Sequence, residues 1–303
     1  SATRLMRAAL RELRGQGAPL ASLYPATQPL YRRVGFEQAG ARFETRVQIS
    51  GLDFHERTLA LRPVEASDLP AIHDVYRRYA QRQQGWLDRT AYLWSRVTHP
   101  KGEHAYGYLV EGSAGVEGYV YLTRRPLNPR DFQQELNLTD LVALTPAAGR
   151  RLLSFLGDHG SIAREAVWRG GPVNPLLFLL REQTYQVKHL FHWMLRVLDV
   201  PAVLQARGYP AGISGALHFE VDDDLFPENR GRFVLEVEDG EAEVRPGGDG
   251  DVRLHVRALS TLYTGFLSPT ALQLAGALEA DEVSLRTAMA LFSGPPPAMP
   301  DMF

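Results

Sequence analysis

The chain has 303 residues, more than a single hydrophobic core usually serves, and this length predicts two or three domains. Its formal net charge of −2 and sequence pI of about 6.5 provide no overall basic field that would favour nucleic acid or an anionic membrane as a partner. The sequence contains no cysteine, which excludes disulfides and thiolate metal sites and agrees with a cytoplasmic location. The most apolar run, residues 175–180, is far too short to span a bilayer, so we expect no membrane-spanning segment.

The chain begins without an initiator Met and leads directly into a helical pattern. Leu5, Ala9 and Leu13 recur at four-residue spacing, which predicts an amphipathic helix. Gly15 and Gly17 follow and are expected to end it.

A strand, a loop, a short helix and a further strand are predicted next, over residues 19–24, 25–29, 30–34 and 42–49. The short helix lies in the stretch QPLYRRVGF, where Tyr31 stands four residues ahead of Gly35, the expected cap. A tyrosine on a short helix usually packs in a core, and this interpretation stays open beside a chemical one. Because no element precedes the first helix, these elements resemble the second half of a domain whose first half is missing from the sequence.

A second region begins after an expected linker at residues 51–57. Residues 58–79 contain a strand, an Arg-Pro pair and then an apolar stripe at helical spacing. Ser67 and Asp68 precede that stripe and predict the start of a helix.

A hairpin and a strand-to-helix junction complete this second region. The hairpin strands are expected over residues 105–110 and 116–122. A strand over about 136–144 then meets a helix, in which Thr145 is the expected cap and Pro146 takes the first helical position. This junction leaves almost no room for a loop.

A third region begins near Met194, where the composition changes. Asp239 and Gly240 predict a tight hairpin turn, and two later helices are expected to begin at Leu259 and Ser268. The short amphipathic strands of this region are expected over residues 216–221, 231–237, 242–244 and 252–256.

These three regions resemble known folds. The order helix, strand, short helix with Y-x-x-x-G-F, strand resembles the C-terminal half of a GNAT-type N-acetyltransferase. The region from residue 58 resembles the opening of a second GNAT fold, and its tight junction at Thr145 implies that this copy binds no coenzyme. The third region, with Gly-Arg-Phe-Val-Leu-Glu-Val ahead of Asp-Gly, resembles a sterol-carrier-type domain, a fold that often binds lipid in a tunnel.

The order of the three domains resembles one family specifically, the enhanced intracellular survival (Eis) acetyltransferases. The stretches at residues 19–36 and 200–209 and the terminal Phe303 support this resemblance. It implies an α+β fold whose first GNAT domain lacks its N-terminal half. The implied domains are the C-terminal half of the catalytic GNAT domain over 1–50, a second, degenerate GNAT domain over 58–192, and a sterol-carrier-protein-like domain over 193–303.

The resemblance also implies roles for individual residues. Tyr31 would be the general acid for the departing thiolate, and the α-carboxylate of Phe303 would be the base, with Asp301 as the alternative base. In the family, a loop ahead of the first helix holds the pyrophosphate of acetyl-CoA at the helix N-terminus. The implied coenzyme contacts here are Ser1, Ala2, Ala26 and Thr27.

The implied function is acetyl transfer from acetyl-CoA to a small-molecule amine, such as an aminoglycoside-like or other polyamine substrate, by direct attack. We expect no metal, no nucleic-acid partner and a homo-oligomer, either a trimer or a hexamer. The alternative is a non-catalytic lipid-binding or regulatory relative.

Other residues have competing interpretations. His189 and His192 lie three apart in a predicted helix and could face one metal, but no third ligand has suitable spacing, so we favour a structural or surface role. For the aspartates at 222–224 we favour a solvated turn over a calcium site. Arg32 and Arg33 could steer the coenzyme phosphates or form a solvated helix face. We expect the tryptophans to pack in cores: Trp86, Trp94, Trp168 and Trp193.

Overall fold

The computed structural model describes residues 2–128 and 132–302, and the chain forms two compact units. Unit 1 comprises Ser1–Ala41 and His192–Pro297, and unit 2 comprises Arg42–Phe191 and Ala298–Phe303. The boundaries of the three domains given above stay a prediction.

The described residues contain both helices and strands. The helices are α1 (Ala2–Gly15), α2 (Gln28–Arg32), α3 (Leu69–Ala80), α4 (Ala91–Thr98), α5 (Pro146–Gly157), α6 (Val200–Ala206), α7 (Val256–Thr264), α8 (Pro269–Leu274) and α9 (Glu282–Leu291). The strands are β1 (Leu20–Leu23), β2 (Glu37–Gln48), β3 (Ala60–Pro63), β4 (Tyr106–Gly112), β5 (Gly115–Pro126), β6 (Gln134–Ala143), β7 (Ala163–Gly170), β8 (Tyr185–Val197), β9 (Gly215–Asp222), β10 (Gly231–Glu238), β11 (Glu241–Pro246), β12 (Val252–His255) and β13 (Leu278–Glu279).

Two predictions from local sequence signals are confirmed. The Thr145 hydroxyl accepts a hydrogen bond of 3.1 Å from the Ala148 backbone N–H, and Pro146 is the first residue of α5. Asp239 and Gly240 connect β10 to β11 with φ values of 48° and 87°. Positive φ at both residues is what a two-residue hairpin turn requires.

Unit 1 contains a five-stranded sheet in the order β11-β10-β9-β12-β13. The strand β12 runs parallel to β9, and the other neighbours are antiparallel. Helices α6, α7 and α9 contribute to the core beside this sheet. Its most deeply buried side chains include Val203, Leu217, Phe219, Leu235, Leu259 and Leu291.

A second core in unit 1 involves the first elements of the chain. The strand β1 pairs antiparallel with the end of β8, with Leu20 opposite Val197. Leu10 of α1 is buried in this core, whereas Leu5 and Leu13 are 75% and 38% exposed. The predicted apolar stripe is therefore not the buried face, because four-residue spacing defines a helix face without deciding which face is covered. The buried members are Leu10, Val34, Phe36, Met194, Leu198 and Phe226.

Strands of unit 2 follow the order β8-β2-β7-β6-β5-β4-β3, with β6 and β7 parallel. One core contains α5 together with residues such as Leu136, Leu138, Leu152 and Leu156. The other contains α3 and α4 together with Ile72, Val75, Leu109 and Tyr119. In the described residues, no helix combines the length and the apolar character needed to cross a bilayer.

The strand predicted over residues 42–49 starts earlier, at Glu37. Ala39, Gly40 and Ala41 are all buried, so this part of β2 has no alternation of polar and apolar residues to reveal it. Gly40 is required by packing, because a Cβ there would lie 2.4 Å from the indole of Trp193.

Two expectations about polar residues are wrong. His189 and His192 lie in the strand β8 and not in a helix, and side chains three positions apart in a strand point to opposite faces. They therefore cannot share a metal on one face. Asp222 and Asp224 are exposed as expected, but Asp223 is fully buried. The tryptophans are buried or partly buried in cores, as predicted.

Candidate functional site

The turn that follows Tyr31 is a helix C-terminus of the Schellman type. The Phe36 backbone N–H donates to the Tyr31 carbonyl at 3.2 Å, and the Gly35 N–H donates to the Arg32 carbonyl at 3.1 Å. These are the two hydrogen bonds that define this motif, and an apolar contact usually accompanies them. Here the contact is the edge-to-face packing of Tyr31 on Phe36, with ring centroids 5.9 Å apart. The pattern Tyr-x-x-x-Gly-Phe is therefore the sequence signature of this helix end.

Gly35 is required at this turn for two separate reasons. Its φ of +90° is strained for any residue with a side chain. A Cβ at Gly35 would also lie 2.7 Å from the guanidinium carbon of Arg196. Arg196 is fully buried in β8 and lies 5.1 Å from the ring centroid of Phe226. The turn after Tyr31 therefore packs directly on a buried cation.

Arg196 is neutralised by Asp223. The guanidinium donates to both carboxylate oxygens at 2.6 and 2.8 Å. Asn229 Nδ2 and the Leu225 backbone N–H donate to the same carboxylate at 2.8 and 2.9 Å. Burial alone would raise the pKa of Asp223, but the hydrogen bonds and charge of Arg196 outweigh burial and hold this pKa below its usual value.

The Tyr31 ring and the Tyr31 hydroxyl have different surroundings. The ring is half-buried and packs against the core that contains Leu10 and Phe36. Within the described part of the chain, no group hydrogen-bonds to the hydroxyl. Packing therefore uses the ring and leaves the hydroxyl available for chemistry.

The N-terminus of α1 has a composition that suits an anion. Ser1 lies outside the described residues, and Ala2 is the exposed first residue of the helix. The described first turn contains no acidic residue, and Arg4 and Arg7 are exposed one and two turns along. The N-terminal end of the helix dipole is positive, so it and these two cations both attract an anion. These residues fit the pyrophosphate of a coenzyme.

Ala26 and Thr27 lie exposed in the loop between β1 and α2. Thr27 is the N-cap of α2, but its side chain makes no capping hydrogen bond. Both residues therefore leave the loop surface open immediately before the helix that carries Tyr31.

A cavity of about 600 Å³ lies in unit 1 beside α2. Glu37 lies at its wall and accepts a hydrogen bond from Arg32 at 2.6 Å and another from Arg257 at 3.1 Å. Burial favours a raised pKa for Glu37, but these two arginines reverse the effect and lower it. Arg33 is exposed, so of the adjacent arginines Arg32 is the one held by a carboxylate. The apolar lining residues are Leu254, Ala258, Phe266, Leu267, Leu272, Ala275, Ala277 and Leu278.

The C-terminal segment Ala298–Phe303 belongs to unit 2, and its described part is docked there. The Ala298 N–H donates to the Gln84 carbonyl at 3.0 Å, and an Arg42 Nη donates to the Pro300 carbonyl at 2.7 Å. Met299 is 2% exposed. Phe303, the predicted base, lies outside the described residues.

Asp301 anchors this segment in a buried polar centre. Arg89 Nε donates to both Asp301 oxygens at 3.0 and 3.1 Å, and Arg89 also donates to Asp140 at 2.5 Å. The Arg89 guanidinium lies 3.9 Å from the ring centroid of Tyr76, and the Tyr119 hydroxyl donates to Asp140 at 2.7 Å. Asp301, the alternative base, is therefore held in an ion pair.

Burial sets the protonation of this centre. It raises the pKa of Asp301, and the nearby Asp140 adds to the rise, while Arg89 opposes both. Two carboxylates share the Arg89 guanidinium here, and the charge of Arg42 also lowers the pKa of Asp301.

Two surface clusters bring three candidate metal ligands within 4.8 Å: His218 with Asp249 and Asp251, and His255 with Asp222 and Asp224. In each cluster the histidine already faces an aspartate, at 3.3 Å for Asp249 and 3.4 Å for Asp224. Surface His–Asp pairing accounts for both groups.

The strand-to-helix junction of unit 2 is as tight as predicted. Leu144 and Thr145 alone separate β6 from α5. This spacing leaves almost no room for a phosphate-binding loop at the junction, and the absence of coenzyme binding by this region stays a prediction.

Sequence reasoning missed that Arg89 and Arg196 are buried. Arg196 had a usable signal, because it stands inside the apolar run Trp-Met-Leu-Arg-Val-Leu, where a cation requires a buried partner. Arg89 lies among polar residues, and its sequence context gave no such signal.

Comparisons with known proteins define the class of this molecule. Residues 1–39 and 85–197 match acetyltransferase (GNAT) domains, and residues 200–300 match a sterol carrier protein domain. The chain is 31% identical to an uncharacterized N-acetyltransferase of Streptomyces griseus, over 99% of this chain and 77% of that protein. The predicted α+β fold, with GNAT domains and a C-terminal sterol-carrier-like domain, is confirmed.

Solved structures and further relatives agree with this assignment. A GCN5-related N-acetyltransferase from Anabaena variabilis superposes with a TM-score of 0.93 at 36% identity, over 100% of this chain and 77% of that one. N-acetyltransferase Eis of Mycobacterium tuberculosis is 26% identical over 84% of this chain and 64% of that protein. The chain belongs to the GNAT family of N-acetyltransferases.

Proposed function

We propose that the protein is an Eis-type N-acetyltransferase that moves an acetyl group from acetyl-CoA to a small-molecule amine, with Tyr31 as the general acid. The observation that carries the proposal is the Tyr31 hydroxyl, which has no hydrogen-bond partner in the described part of the chain although its ring is packed in the core. The likeness to Eis and the three-domain order support the subfamily.

The residues of this chain have separate tasks in the proposed reaction. The N-terminus of α1, with Arg4 and Arg7, and the loop at Ala26 and Thr27 would hold the coenzyme. Acetyl-CoA supplies the acetyl group as a reactive thioester. No covalent intermediate on the enzyme is needed, because the amine attacks the thioester directly.

Two protons move as the acetyl group is transferred. The new C–N bond leaves a proton on the nitrogen, which the α-carboxylate of Phe303 accepts directly or through a water. The C–S bond breaks, and the Tyr31 phenol, with a reference pKa of about 10, gives its proton to the departing sulfur. We propose a small amine as the acceptor and a cytoplasmic homo-oligomer built from trimers as the assembly.

Tyr31→Phe in the full-length protein tests this mechanism. Turnover should fall by roughly 10²- to 10⁴-fold, the usual contribution of a general acid. The Schellman turn needs the ring and not the hydroxyl, so the melting temperature should be unchanged. Acetyl transfer followed by release of free thiol, beside a thermal melt, measures both quantities.

Tyr106→Phe is the matched control, because Tyr106 is 55% exposed on unit 2. This variant also removes a tyrosine hydroxyl, and it should leave turnover unchanged. If Tyr31→Phe turned over normally, Tyr31 would have a packing role alone.

A second function, carriage of an apolar ligand, is favoured by the cavity of about 600 Å³ beside α2. Its volume is within the range of small-molecule sites and its lining is largely apolar. Native mass spectrometry of the purified protein should then find a bound lipid of constant mass. A ligand-free spectrum beside measurable acetyl transfer would leave acetyl transfer as the sole function.

A further inference from the structure

A separate pocket of about 270 Å³ lies in unit 2 against the C-terminal segment. Pro300 and Met302 form one wall, and α4, β5, β6 and β7 contribute the others. Five cationic side chains and a single carboxylate line it: Arg42, Arg96, Lys101, Arg125, Arg169 and Asp301. The formal charge of its lining is therefore strongly positive, in a chain whose net charge is −2.

The carboxylate in this lining hydrogen-bonds to a cation outside it. Asp301 turns both oxygens to Arg89, which is not part of the pocket lining. Arg169 is paired with Glu44 at 2.6 Å, and Arg42 donates to the tail carbonyl of Pro300.

Three of the cations remain without a carboxylate in the described residues: Arg96, Lys101 and Arg125. Arg96 donates to the Tyr92 hydroxyl and is otherwise exposed. Arg125 is half-buried in β5, so its charge is held at the pocket by a strand and not by a mobile loop. Cations gathered in a concave site raise the local concentration of anions.

The backbone at Lys101 is strained. Its φ is +54°, a left-handed conformation that is unusual for a residue with a side chain. Such strain persists where the surrounding structure imposes it, and it occurs often at functional sites. The turn between α4 and β4 thus brings a fifth cation to the pocket.

We propose that this pocket binds the anionic group, a phosphate or a carboxylate, of the acetyl acceptor. The assignment to the acceptor rests on the proposed function, because the pocket lies against the segment that leads to Phe303. Arginine side chains match such anions with paired N–H donors, and the volume suits one anionic group and not a whole coenzyme. The acceptor is then an amine that also carries a negative charge, in contrast to a polyamine.

Calorimetric titration of the full-length protein with inorganic phosphate tests the pocket directly. Arg125→Gln should weaken binding by about tenfold, as expected for loss of a charge-assisted hydrogen bond. Arg124→Gln is the matched control, because Arg124 is the exposed neighbour on β5 and does not line the pocket. If Arg125→Gln does not fold, Lys101→Gln replaces it as the test, because Lys101 lies at an exposed turn, and this variant should also weaken phosphate binding.

Equal phosphate affinity in the wild type and in both lining variants overturns the proposal. So does a wild type that binds no phosphate, which is the expected result if a carboxylate of the chain itself fills the pocket. The anion in this pocket could instead be the 3′-phosphate of coenzyme A. Competition of phosphate binding by coenzyme A and by its analogue lacking the 3′-phosphate tests that alternative. If coenzyme A competes more strongly than the analogue and Arg125→Gln abolishes that difference in affinity, the pocket binds the coenzyme and the assignment to the acceptor is wrong.

Acetylation of ethanolamine and phosphoethanolamine separates this proposal from the function on which it rests. Arg125→Gln should raise the KM for phosphoethanolamine by about tenfold and leave that for ethanolamine unchanged. Transfer to both amines with no effect of Arg125→Gln would refute the pocket and keep the function. Phosphate binding that depends on Arg125, with no transfer to any amine, would refute the function and keep the anion site.

Discussion

Arg196 in unit 1 and Arg89 in unit 2 are both buried, but they are neutralised differently. Arg196 faces one carboxylate, Asp223, which also receives hydrogen bonds from Asn229 and from the Leu225 backbone. The pair is balanced in charge, and Asp223 is held by groups close to it in sequence. It forms the platform on which the turn after Tyr31 packs.

Arg89 faces two carboxylates, Asp140 and Asp301, and the charge of Arg42 also acts on Asp301. Asp140 lies in the middle of β6, whereas Asp301 lies in the terminal segment of the chain. The pKa of Asp223 is lowered and that of Asp301 is raised, although an arginine binds each of them. At Asp301, burial and the nearby Asp140 outweigh the arginines, whereas at Asp223 the hydrogen bonds from Arg196, Asn229 and the backbone, with the charge of Arg196, outweigh burial.

Replacement of either buried arginine should cause the largest loss of stability. Arg89→Gln leaves two carboxylates facing each other in a buried site, and we expect a loss of about 4–5 kcal/mol in the free energy of unfolding at pH 7. Arg196→Gln leaves one carboxylate that keeps Asn229 and its backbone donors, so a loss of about 3 kcal/mol is expected. Urea denaturation measures both.

The exposed Arg11→Gln on α1 serves as the control and should change stability by less than about 0.5 kcal/mol. At pH 4 the loss in Arg89→Gln should shrink, because protonation of Asp301, whose pKa burial raises, relieves its repulsion with Asp140. Equal losses for the two buried arginines at both pH values would contradict the comparison.

Gly35→Ala probes the platform above Arg196 without changing any charge. The left-handed backbone costs about 1–2 kcal/mol for a residue with a Cβ, and the clash with the guanidinium adds to it, so we expect a loss of about 3 kcal/mol. Gly17→Ala is the matched control, because Gly17 has a similar φ of +83° but no atom within 4 Å of the position that a Cβ would occupy. It should lose the backbone contribution alone, so equal losses for the two variants would mean that Arg196 moves aside freely.

Local signals in the sequence predicted the elements that depend on neighbouring residues. Thr145 with Pro146, and Asp239 with Gly240, specify a cap and a turn by themselves, and the structure confirms both. Tyr31 was singled out because its turn has a compact motif. Residues 37–41 were missed because a strand segment buried on both sides has no alternation to detect.

Contacts between distant residues could not be predicted in this way. Arg89 and Asp301 are 212 positions apart, and neither has a neighbour that indicates the other. The cations of the anion pocket come from several strands, a helix and a turn, so their convergence exists only in the folded chain. Asp223 was interpreted as solvated because its exposed neighbours dominate the sequence pattern.

Asp301→Asn gives the smallest expected effect. It tests the direction in which stability changes with pH at the Arg89 centre. Asp301 has a raised pKa in the folded protein, so between the unfolded pKa of about 3.9 and that raised value the folded chain holds a proton that the unfolded chain has lost. Wild-type stability attributable to Asp301 is therefore greatest below about pH 4 and falls as pH rises through this window. Relative to the wild type, Asp301→Asn should gain stability across the window and then stay level.

Asp223→Asn should show the opposite sign. The lowered pKa of Asp223 means that its stabilisation is complete above the unfolded pKa of about 3.9 and is lost as pH falls, so this variant should become less stable than the wild type as pH rises. Urea denaturation of the three proteins from about pH 3 to pH 7 measures the two slopes. Parallel slopes would show that Arg89 satisfies both of its carboxylates as fully as Arg196 satisfies its single partner, and the pH response assigned to the terminal segment would then be wrong.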